Sequence, residues 1–274
     1  MPRILDHTGR EADRTVTVAD IVALKSRGQR LAQVTASTPA EAAAAEAAGI
    51  EMVVCMSDFV PAVRQGSQRV FVTAAIDFSG AVTEDDLLRD ALTALRDGAD
   101  AVITARGLAS VRRLSAEDIP VMGHLGFLPK KSSLYGGIRA VGRTAPEALD
   151  LWRRFQELED AGAFAVECEL IPAEVMAEIH RRTGLATISL GSGPDADVLF
   201  LFTSDLCGER ERIPRHARAY ADLASLHRQI DAERIRALTE FRADVASGGF
   251  PSDAEVARID AAELEGFRQG LDKP

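Results

Sequence analysis

The chain has 274 residues, of which 46% are hydrophobic and 27% are charged, a balance typical of a globular protein. Its formal net charge of −10 argues against nucleic acid or an anionic membrane surface as a partner. Three widely spaced cysteines fit neither a disulfide framework nor a zinc site, the first residues are too polar for a signal peptide, and no apolar stretch is long enough to span a membrane. We therefore expect a cytoplasmic protein.

Short apolar runs alternate with helical patterns along the chain. The eight predicted strands are Leu31–Thr35, Glu51–Cys55, Val70–Ala74, Ala101–Thr104, Val121–Gly123, Ala165–Glu169, Thr187–Leu190 and Val198–Phe202. The predicted helices are Pro39–Gly49, Glu84–Gly98, Pro146–Gly162, Pro172–Gly184 and a long tail over Arg215–Ala246. Nearly continuous apolar strands are typical of a parallel sheet covered on both faces. The pattern predicts an α/β fold, a single (β/α)8 TIM barrel with a C-terminal helical extension.

We predict one domain over residues 1–274, with the barrel over about 31–212 and the helical tail over about 213–274. The segment Met56–Arg69 leaves room for only one or two helical turns between the second and third strands. Thr144 and Glu147 have the spacing of a capping box at a helix start. The tail is expected to pack on the barrel or on a neighbouring subunit.

Polar side chains stand at the carboxyl ends of two predicted strands, where barrel enzymes carry their active sites. His124 lies in the run VMGHLGFLPK, and Glu167 and Glu169 share one face of the following strand. Two inward carboxylates on an apolar strand are costly to bury, and a raised pKa on one of them suits a general base. His124 and Glu169 predict a proton-handling site, and Glu167 is predicted to be a substrate-binding residue beside them. The alternatives are a core histidine bonded to a backbone carbonyl and glutamates paired with basic side chains.

Other polar residues near strand ends suit the binding of an anionic substrate. Arg106 follows the fourth predicted strand, where a guanidinium can hold a carboxylate by two parallel hydrogen bonds, although a surface arginine is the alternative. Ser37, Ser57 and Ser192 can each donate a hydrogen bond to a carboxylate. Together these residues predict a small anionic substrate.

Several runs in order resemble the ketopantoate hydroxymethyltransferase (3-methyl-2-oxobutanoate hydroxymethyltransferase) family. They are VTAST, AAGIEMVV, GHLGFLP, YGGIRAVGR, ELEDAGAFAVECELIP, ISLGSGPDAD, SDLCG, IPRHARAY and SGGFP, between about Leu31 and Pro251. The resemblance implies the fold of the phosphoenolpyruvate mutase and isocitrate lyase superfamily and a homo-oligomer. It also implies a small 2-oxo acid substrate, Mg²⁺ that stabilises its enolate, and methylenetetrahydrofolate as co-substrate. Glu169 matches the glutamate that the family uses for proton transfer.

The chain departs from the family pattern where that family keeps its metal-binding acids. Ser57 and Ala75 stand at the positions of two such acids, and Ile103 and Ala105 replace a lysine and a glutamate. A rebuilt magnesium site would use Asp58 and Asp77, because each lies within two residues of a lost acid. The alternative is that both are solvated loop acids.

Three interpretations follow from these residues. The first is an enzyme that makes or breaks an aldol carbon–carbon bond next to a 2-oxo acid through an enolate, because His124 and Glu169 are retained. The second is a divergent paralogue with a metal-independent lyase or hydrolase activity on an oxo acid, favoured by the lost acids and by Arg106. The third is a non-catalytic barrel that binds a metabolite, in which His124 and Glu169 form structural pairs.

Overall fold

The computed structural model describes residues 3–76, 80 and 82–271. The strands in this part of the chain are β1 (Arg3–Leu5), β2 (Glu11–Asp13), β3 (Leu31–Thr35), β4 (Met52–Met56), β5 (Phe71–Ala75), β6 (Ala101–Ile103), β7 (Val121–Gly126), β8 (Ala165–Glu169), β9 (Ala186–Leu190) and β10 (Val198–Leu201). The helices are α1 (Val18–Arg27), α2 (Pro39–Ala47), α3 (Val60–Gly66), α4 (Glu84–Arg96), α5 (Leu108–Ser115), α6 (Ala145–Asp160), α7 (Ala173–His180), α8 (Thr203–Leu206), α9 (Leu223–Ser247) and α10 (Ala261–Leu271). Single 3₁₀ turns follow β4 at Ser57–Phe59 and β7 at Pro129–Lys131.

Strands β3 to β10 form a closed barrel in which every neighbouring pair is parallel and β10 pairs with β3. This confirms the predicted α/β fold and (β/α)8 barrel. Two of the strands, β3 and β8, have the predicted bounds, and the other six differ by one to three residues. The largest difference is in β7, which continues to Gly126 and carries His124 inside the strand rather than after it.

Alternate strand residues separate two apolar cores, as the two faces of a pleated strand require. The interior of the barrel is filled by one layered cluster, which includes Met52, Phe71, Met122 and Ile188, and the outer cluster packs between the strands and the helices. Helix α1 belongs to the interior cluster and closes the amino-terminal end of the barrel. Barrel enzymes carry their active sites at the opposite, carboxyl end of the strands.

A buried charged triad lies near the amino-terminal end of the barrel. Arg14 Nε donates to Asp100 Oδ1 at 2.6 Å and Arg64 donates to Asp100 Oδ2 at 2.7 Å. The same guanidinium groups donate to the carbonyls of Gln68, Gly98 and Val70, so the charges are paired and hydrogen-bonded on most sides. We assign this triad a structural role because it lies far from the strands' carboxyl ends.

Two local predictions need correction. Thr144 caps α6 by accepting from Glu147 N, but the Glu147 carboxylate accepts from Gly142 N and Arg143 N rather than completing the capping box. The tail helix α9 begins at Leu223 and not at Arg215. Asp222 provides the cap at this later start by accepting from Ser225 N.

The chain divides into two compact units, Met1–Ala221 and Asp222–Pro274. The first unit contains the barrel, and the second contains α9 and α10. The assignment of a single domain, with a barrel over about 31–212 and a tail over about 213–274, stays a prediction. Among the helices that the structure describes, none combines the length and the apolar character that a membrane span requires.

Candidate active site

Neighbouring strands bring one histidine and two glutamates to the carboxyl end of the barrel. Strand β7 supplies His124, and β8 supplies Glu167 and Glu169. In the parallel register His124 lies opposite Glu167, and Gly126 lies opposite Glu169. Because the side chains two residues before them, Met122 and Ala165, fill the barrel interior, the alternation of each strand directs all three polar side chains inward.

The three side chains are within direct interaction distance. His124 Nε2 lies 3.1 Å from Glu169 Oε2, a hydrogen bond, and 4.0 Å from Glu167 Oε1. Their side chains are 12%, 15% and 8% exposed, in the order His124, Glu169 and Glu167. The cluster is therefore nearly enclosed but still open to a small molecule at the mouth.

The local charges favour an imidazolium between carboxylates. Burial alone would lower the pKa of His124, but the hydrogen bond to Glu169 and the charges of Glu167 and Glu169 outweigh it and raise this pKa above its ordinary value. Burial raises the pKa of Glu167, only partly offset by the nearby His124 charge. The charged form of His124 is therefore favoured, with Glu167 beside it in the lining of the cavity at the mouth and Glu169 hydrogen-bonded to it.

The backbone around Glu169 is fixed from several directions. A Cβ at Gly126 would meet the Glu169 carbonyl oxygen at 2.2 Å, so only glycine allows the end of β7 to approach so closely. Leu170, the next residue after Glu169, has a φ of 49°, in the left-handed region that residues other than glycine rarely adopt. Ser192 Oγ donates to Cys168 O at 2.7 Å and accepts from Ile171 N at 2.9 Å. Strain and hydrogen bonds thus coincide at the strand end that carries Glu169.

A cavity of about 450 Å³ lies over this cluster at the mouth of the barrel. His124 and Glu167 form one wall. Much of the remaining wall is apolar, and these residues are Val54, Cys55, Met56, Ala75, Ile76, Ile103, Phe200 and Phe202. A volume in this range suits a metabolite of modest size. The mouth can therefore place an apolar substrate group against one wall and a reacting carbon beside the histidine–glutamate pair.

The other residues that the sequence singled out are separated by the fold. Ser37 lines the mouth, and its backbone N donates to Glu41 Oε2 at 2.6 Å. Ser57 begins the 3₁₀ turn after β4, and the exposed Asp58 is the next residue. Neither of them lines the mouth. Arg106 lines an adjoining cavity instead, and Asp77 lies outside the described residues. Ser192 is fully buried and its hydroxyl bonds to backbone, so in this structure it holds the strand end in place.

Sequence reasoning missed Phe202 and Arg210, which both line the mouth. Arg210 lies with its guanidinium carbon 5.9 Å from the Phe202 ring centroid, and its Nε is 3.8 Å from an oxygen of the buried Asp205. The inward direction of Phe202 could have been predicted from the sequence, because it lies two residues beyond Phe200, which faces the barrel interior. Arg210 follows a short helix and an irregular segment, where no periodic pattern gives the direction of a side chain.

The described residues do not fit the magnesium site that the family resemblance implies. Mg²⁺ prefers several oxygen ligands in an octahedral arrangement. Ala75 lines the cavity at a position where the family resemblance implies a metal-binding acid, and Ser57 and Asp58 do not line the cavity. Glu41, a carboxylate on the rim, accepts hydrogen bonds from the backbone N of Ser37 and Thr38 at the start of α2. We therefore derive no chemical step through a magnesium ion.

His124, Glu167 and Glu169 also form a set of potential metal ligands. The ligand atoms of His124, Glu167 and Glu169 lie within 4.8 Å of one another, close enough to share an ion. One imidazole and two carboxylates suit a transition metal better than magnesium. An ion at this place would occupy the same lone pairs that proton transfer needs, so metal binding and acid–base chemistry at this cluster would compete.

Comparison with known proteins decides the family. The family model described as ketopantoate hydroxymethyltransferase matches residues 54–253. The chain is 33% identical over 272 residues to the 3-methyl-2-oxobutanoate hydroxymethyltransferase of Thermobifida fusca, covering 89% of this chain and 94% of the relative. It is 35% identical over 276 residues to the protein of the same name from Hyperthermus butylicus, covering 91% and 93%. The chain belongs to the ketopantoate hydroxymethyltransferase family. The predicted family is thereby confirmed.

Solved structures support the fold of this family member. A 2,3-dimethylmalate lyase described as a PEP mutase/isocitrate lyase superfamily member aligns with a TM-score of 0.52 at 15% identity, covering 94% of this chain and 96% of that one. A phosphonopyruvate hydrolase complexed with oxalate and Mg²⁺ aligns with a TM-score of 0.50 at 14% identity, covering 93% and 97%. At these identities the likeness establishes the barrel alone. The chemistry must be argued from the chain's own residues.

Proposed function

We propose that this family member makes or breaks an aldol carbon–carbon bond next to a 2-oxo acid through an enolate. The observation that carries the proposal is the hydrogen bond between His124 Nε2 and Glu169 Oε2, 3.1 Å long, at the mouth of the barrel. Family membership supports 3-methyl-2-oxobutanoate as the acid and methylenetetrahydrofolate as the one-carbon donor. The apolar wall that includes Met56 and Ile76 suits the branched end of such an acid.

Glu169 and His124 have different roles in the proposed proton transfer. Glu169 removes the proton from the carbon next to the carbonyl, and charged His124 donates a hydrogen bond to the oxygen that becomes the enolate oxygen. The proton that is removed and the carbonyl oxygen are attached to adjacent carbons of the substrate. His124 and Glu169, whose nearest side-chain atoms are 3.1 Å apart, can therefore contact both when the substrate is bound.

The enolate carbon then attacks the one-carbon unit, which methylenetetrahydrofolate and water supply at the oxidation level of formaldehyde. The C=O π bond of that unit breaks, and the new alkoxide takes up the proton that Glu169 removed. In the reverse direction the carbon–carbon bond breaks by the same steps.

Glu167 and Arg210 would have supporting roles in this reaction. Glu167, 4.0 Å from His124 Nε2, stabilises the charged histidine without competing for the same hydrogen bond. Arg210 is the arginine that lines the mouth in the described part of the chain, and it suits the substrate carboxylate together with Ser37. In this arrangement the positive charge that stabilises the enolate comes from a side chain.

A second candidate function is a metal-independent lyase or hydrolase reaction on an oxo acid. The apolar residues Ala75 and Ile103, at the wall where the family resemblance implies polar groups, favour this candidate. It shares the first step, because an enolate held by His124 can also result from the loss of a group at the adjacent carbon. The two candidates therefore differ in the electrophile and not in the proton-handling pair.

The test is proton NMR of 3-methyl-2-oxobutanoate in deuterated buffer with the protein, once with a metal chelator and once with added Mg²⁺. We expect exchange of the C3 proton in both samples, because Glu169 and His124 suffice for enolisation. Exchange only with Mg²⁺ would show a metal site that the described residues do not form. No exchange in either sample would contradict the proposal for this acid and direct the search to other oxo acids or to a binding role.

Assembly and location are part of the proposal. We expect a homo-oligomer, because α9 carries exposed apolar side chains, among them Ile230, Leu238 and Phe241, that a second copy can cover. We expect the reaction to take place in the cytoplasm, because the three cysteines are free and two of them, Cys55 and Cys168, are buried in a form that a reducing compartment preserves.

A further inference from the structure

The three polar side chains at the mouth have spacings close to those of a metal-binding set. One donor atom each from His124, Glu167 and Glu169 lies within 4.8 Å of the others. An ion about 2.1 Å from each donor requires donors about 3 to 3.5 Å apart. His124 Nε2 and Glu169 Oε2 meet this requirement, because they are 3.1 Å apart. Glu167 Oε1 is 4.0 Å from Nε2 and has to approach by less than about 1 Å.

The carboxylate of Glu167 has no hydrogen-bond donor among the residues that the structure describes. Its side chain is 8% exposed, and its contact with His124 Nε2, at 4.0 Å, is too long for a hydrogen bond. Buried carboxylates are ordinarily hydrogen-bonded, paired at short distance or bound to a metal ion. Because Glu167 also lines the cavity at the mouth, this carboxylate is a buried donor with room for a ligand beside it.

The backbone holds the ligand-bearing strand ends in fixed positions. Phe127 N donates to Glu169 O at 2.7 Å, which joins the segment after β7 to the end of β8. The backbone of Phe127 also forms a hydrogen bond with the His124 ring. Metal-binding histidines commonly have such a backbone partner, which fixes the orientation of the ring. Little ordering of the protein is therefore needed before these side chains can bind an ion.

The chemistry of the donors selects the class of ion. One imidazole nitrogen with two carboxylates suits Zn²⁺, Co²⁺ and similar transition-metal ions, whereas Mg²⁺ prefers oxygen ligands. His124 and Glu167 face a cavity of about 450 Å³, so water can complete the coordination from that side. This set differs from the magnesium site that the family resemblance implies, whose acids belong at the positions of Ser57 and Ala75.

We propose that His124, Glu167 and Glu169 bind a divalent transition-metal ion, and that this ion blocks proton transfer at the mouth. On binding, the ion takes the lone pair of His124 Nε2, and the proton that this nitrogen carried is released to the solvent. The Glu169 carboxylate then coordinates the ion and no longer removes a proton from the substrate. The block of proton transfer rests on the proposed function, whereas the metal site itself does not.

The first experiment is titration calorimetry of the chelator-treated protein with ZnCl₂, CoCl₂ and MgCl₂. We expect one Zn²⁺ or Co²⁺ per chain, bound at least about 100-fold more tightly than Mg²⁺. The absorption spectrum of the Co²⁺ complex should lack the strong near-ultraviolet band that coordination by a cysteine thiolate produces. Similar affinities for the three ions, absence of saturable binding by Zn²⁺ and Co²⁺, or a thiolate band would each overturn the proposal.

The site is located by two pairs of variants, each matched in the kind of side chain removed. His124→Ala should weaken Co²⁺ binding by about 100-fold or more, because loss of even an indirect partner of a metal ligand costs about 10- to 100-fold. His227→Ala changes an exposed residue of α9 and should leave binding unaltered. Glu167→Gln should weaken binding by about tenfold or more, whereas Glu209→Gln, at an exposed residue outside the mouth, should not. Equal effects within either pair would overturn the location, and thermal melting of the metal-free variants checks that the fold is retained.

The block of proton transfer is tested by deuterium exchange at C3 of 3-methyl-2-oxobutanoate. Exchange by the chelator-treated protein should fall by about 100-fold or more at saturating Zn²⁺, because a positioned acid or base contributes at least that much. Excess chelator should restore it. Unchanged or faster exchange with Zn²⁺ bound would overturn the block. Absence of exchange without metal would contradict the proposed function alone, because the metal titrations test the site independently, so the two failures are distinguishable.

Discussion

Replacing Glu167 by glutamine tests the idea that His124 acts in its charged form. His124 Nε2 and Glu167 Oε1 are 4.0 Å apart, and a full charge at that distance contributes about 4 kcal/mol at an effective dielectric constant of about 20, or about three pH units. Burial raises the pKa of Glu167, which lessens the negative charge that this side chain places beside the histidine. We therefore expect the substitution to lower the pKa of His124 by about one unit.

The sign of the effect on activity follows from the role of the imidazolium. Carbon–hydrogen exchange should decline as the pH rises through the pKa of His124, because the neutral ring stabilises the enolate oxygen less well. In the Glu167→Gln variant this decline should begin about one pH unit lower. Stability follows the same sign: the raised pKa of folded His124 contributes stability below the pKa of the unfolded state, and that contribution is lost as the pH rises through the folded value.

Two measurements on the same samples check this prediction. The pH profile of deuterium exchange gives the kinetic pKa, and NMR titration gives the ring pKa. The His124 signal can be assigned by its loss in His124→Ala, because the chain has only five histidines. Glu209→Gln removes an equal charge from an exposed residue outside the mouth and should leave both values unchanged. An unchanged His124 pKa in Glu167→Gln would refute the electrostatic role of this glutamate.

Three further predictions concern the pair, the core and the tail. Glu169→Gln and His124→Ala should each lower exchange by about 100-fold or more with the melting temperature retained, and full turnover in both would show that the site is elsewhere. Asp100→Asn should lower the free energy of unfolding by about 3 kcal/mol or more, because it leaves two buried arginines without their shared negative charge. Urea titrations measure this loss. A loss below about 1 kcal/mol, the level of a surface ion pair, would contradict the structural role of the triad. Leu238→Asp should yield a smaller species in light scattering, and an unchanged mass would exclude Leu238 from the interface.

The barrel was predictable because each strand is marked by a short apolar run and the longer connecting helices have a clear start or stop. Helix α5, which has no side-chain cap, was not among the predicted helices. The strands that differ most from expectation do so where polar residues continue the strand, as in β7, which extends through His124 to Gly126. The chain before β3 was not assigned, although Thr17 and Asp20 form a capping box at the start of α1. The tail helix was placed too early because the residues before Asp222 are helix-compatible in composition but lack a cap.

The candidate site was only partly predictable, because sequence position alone does not give the direction of a side chain. His124 and Glu169 were identifiable, since they continue the inward phase of interior residues on regular strands. Arg106 directly follows Ala105, so strict alternation directs its side chain away from the mouth. In the structure Arg106 does line the adjoining cavity and not the mouth. Ser57 and Asp58 could not be read in this way, because a 3₁₀ turn begins at Ser57 and ends the alternation.

The loss of a metal-binding acid at the mouth and the charge on His124 can be explained together. An enolate needs positive charge at its oxygen, whichever group provides it. Ala75 stands where the family resemblance implies a metal-binding acid, and Ile103 stands where it implies a lysine, so neither position offers a charged group. The raised pKa of His124 between Glu167 and Glu169 supplies a cation in the same space. Ala75→Asp should therefore weaken the need for a charged His124 only when Mg²⁺ is added, and the pH profile of exchange would report it.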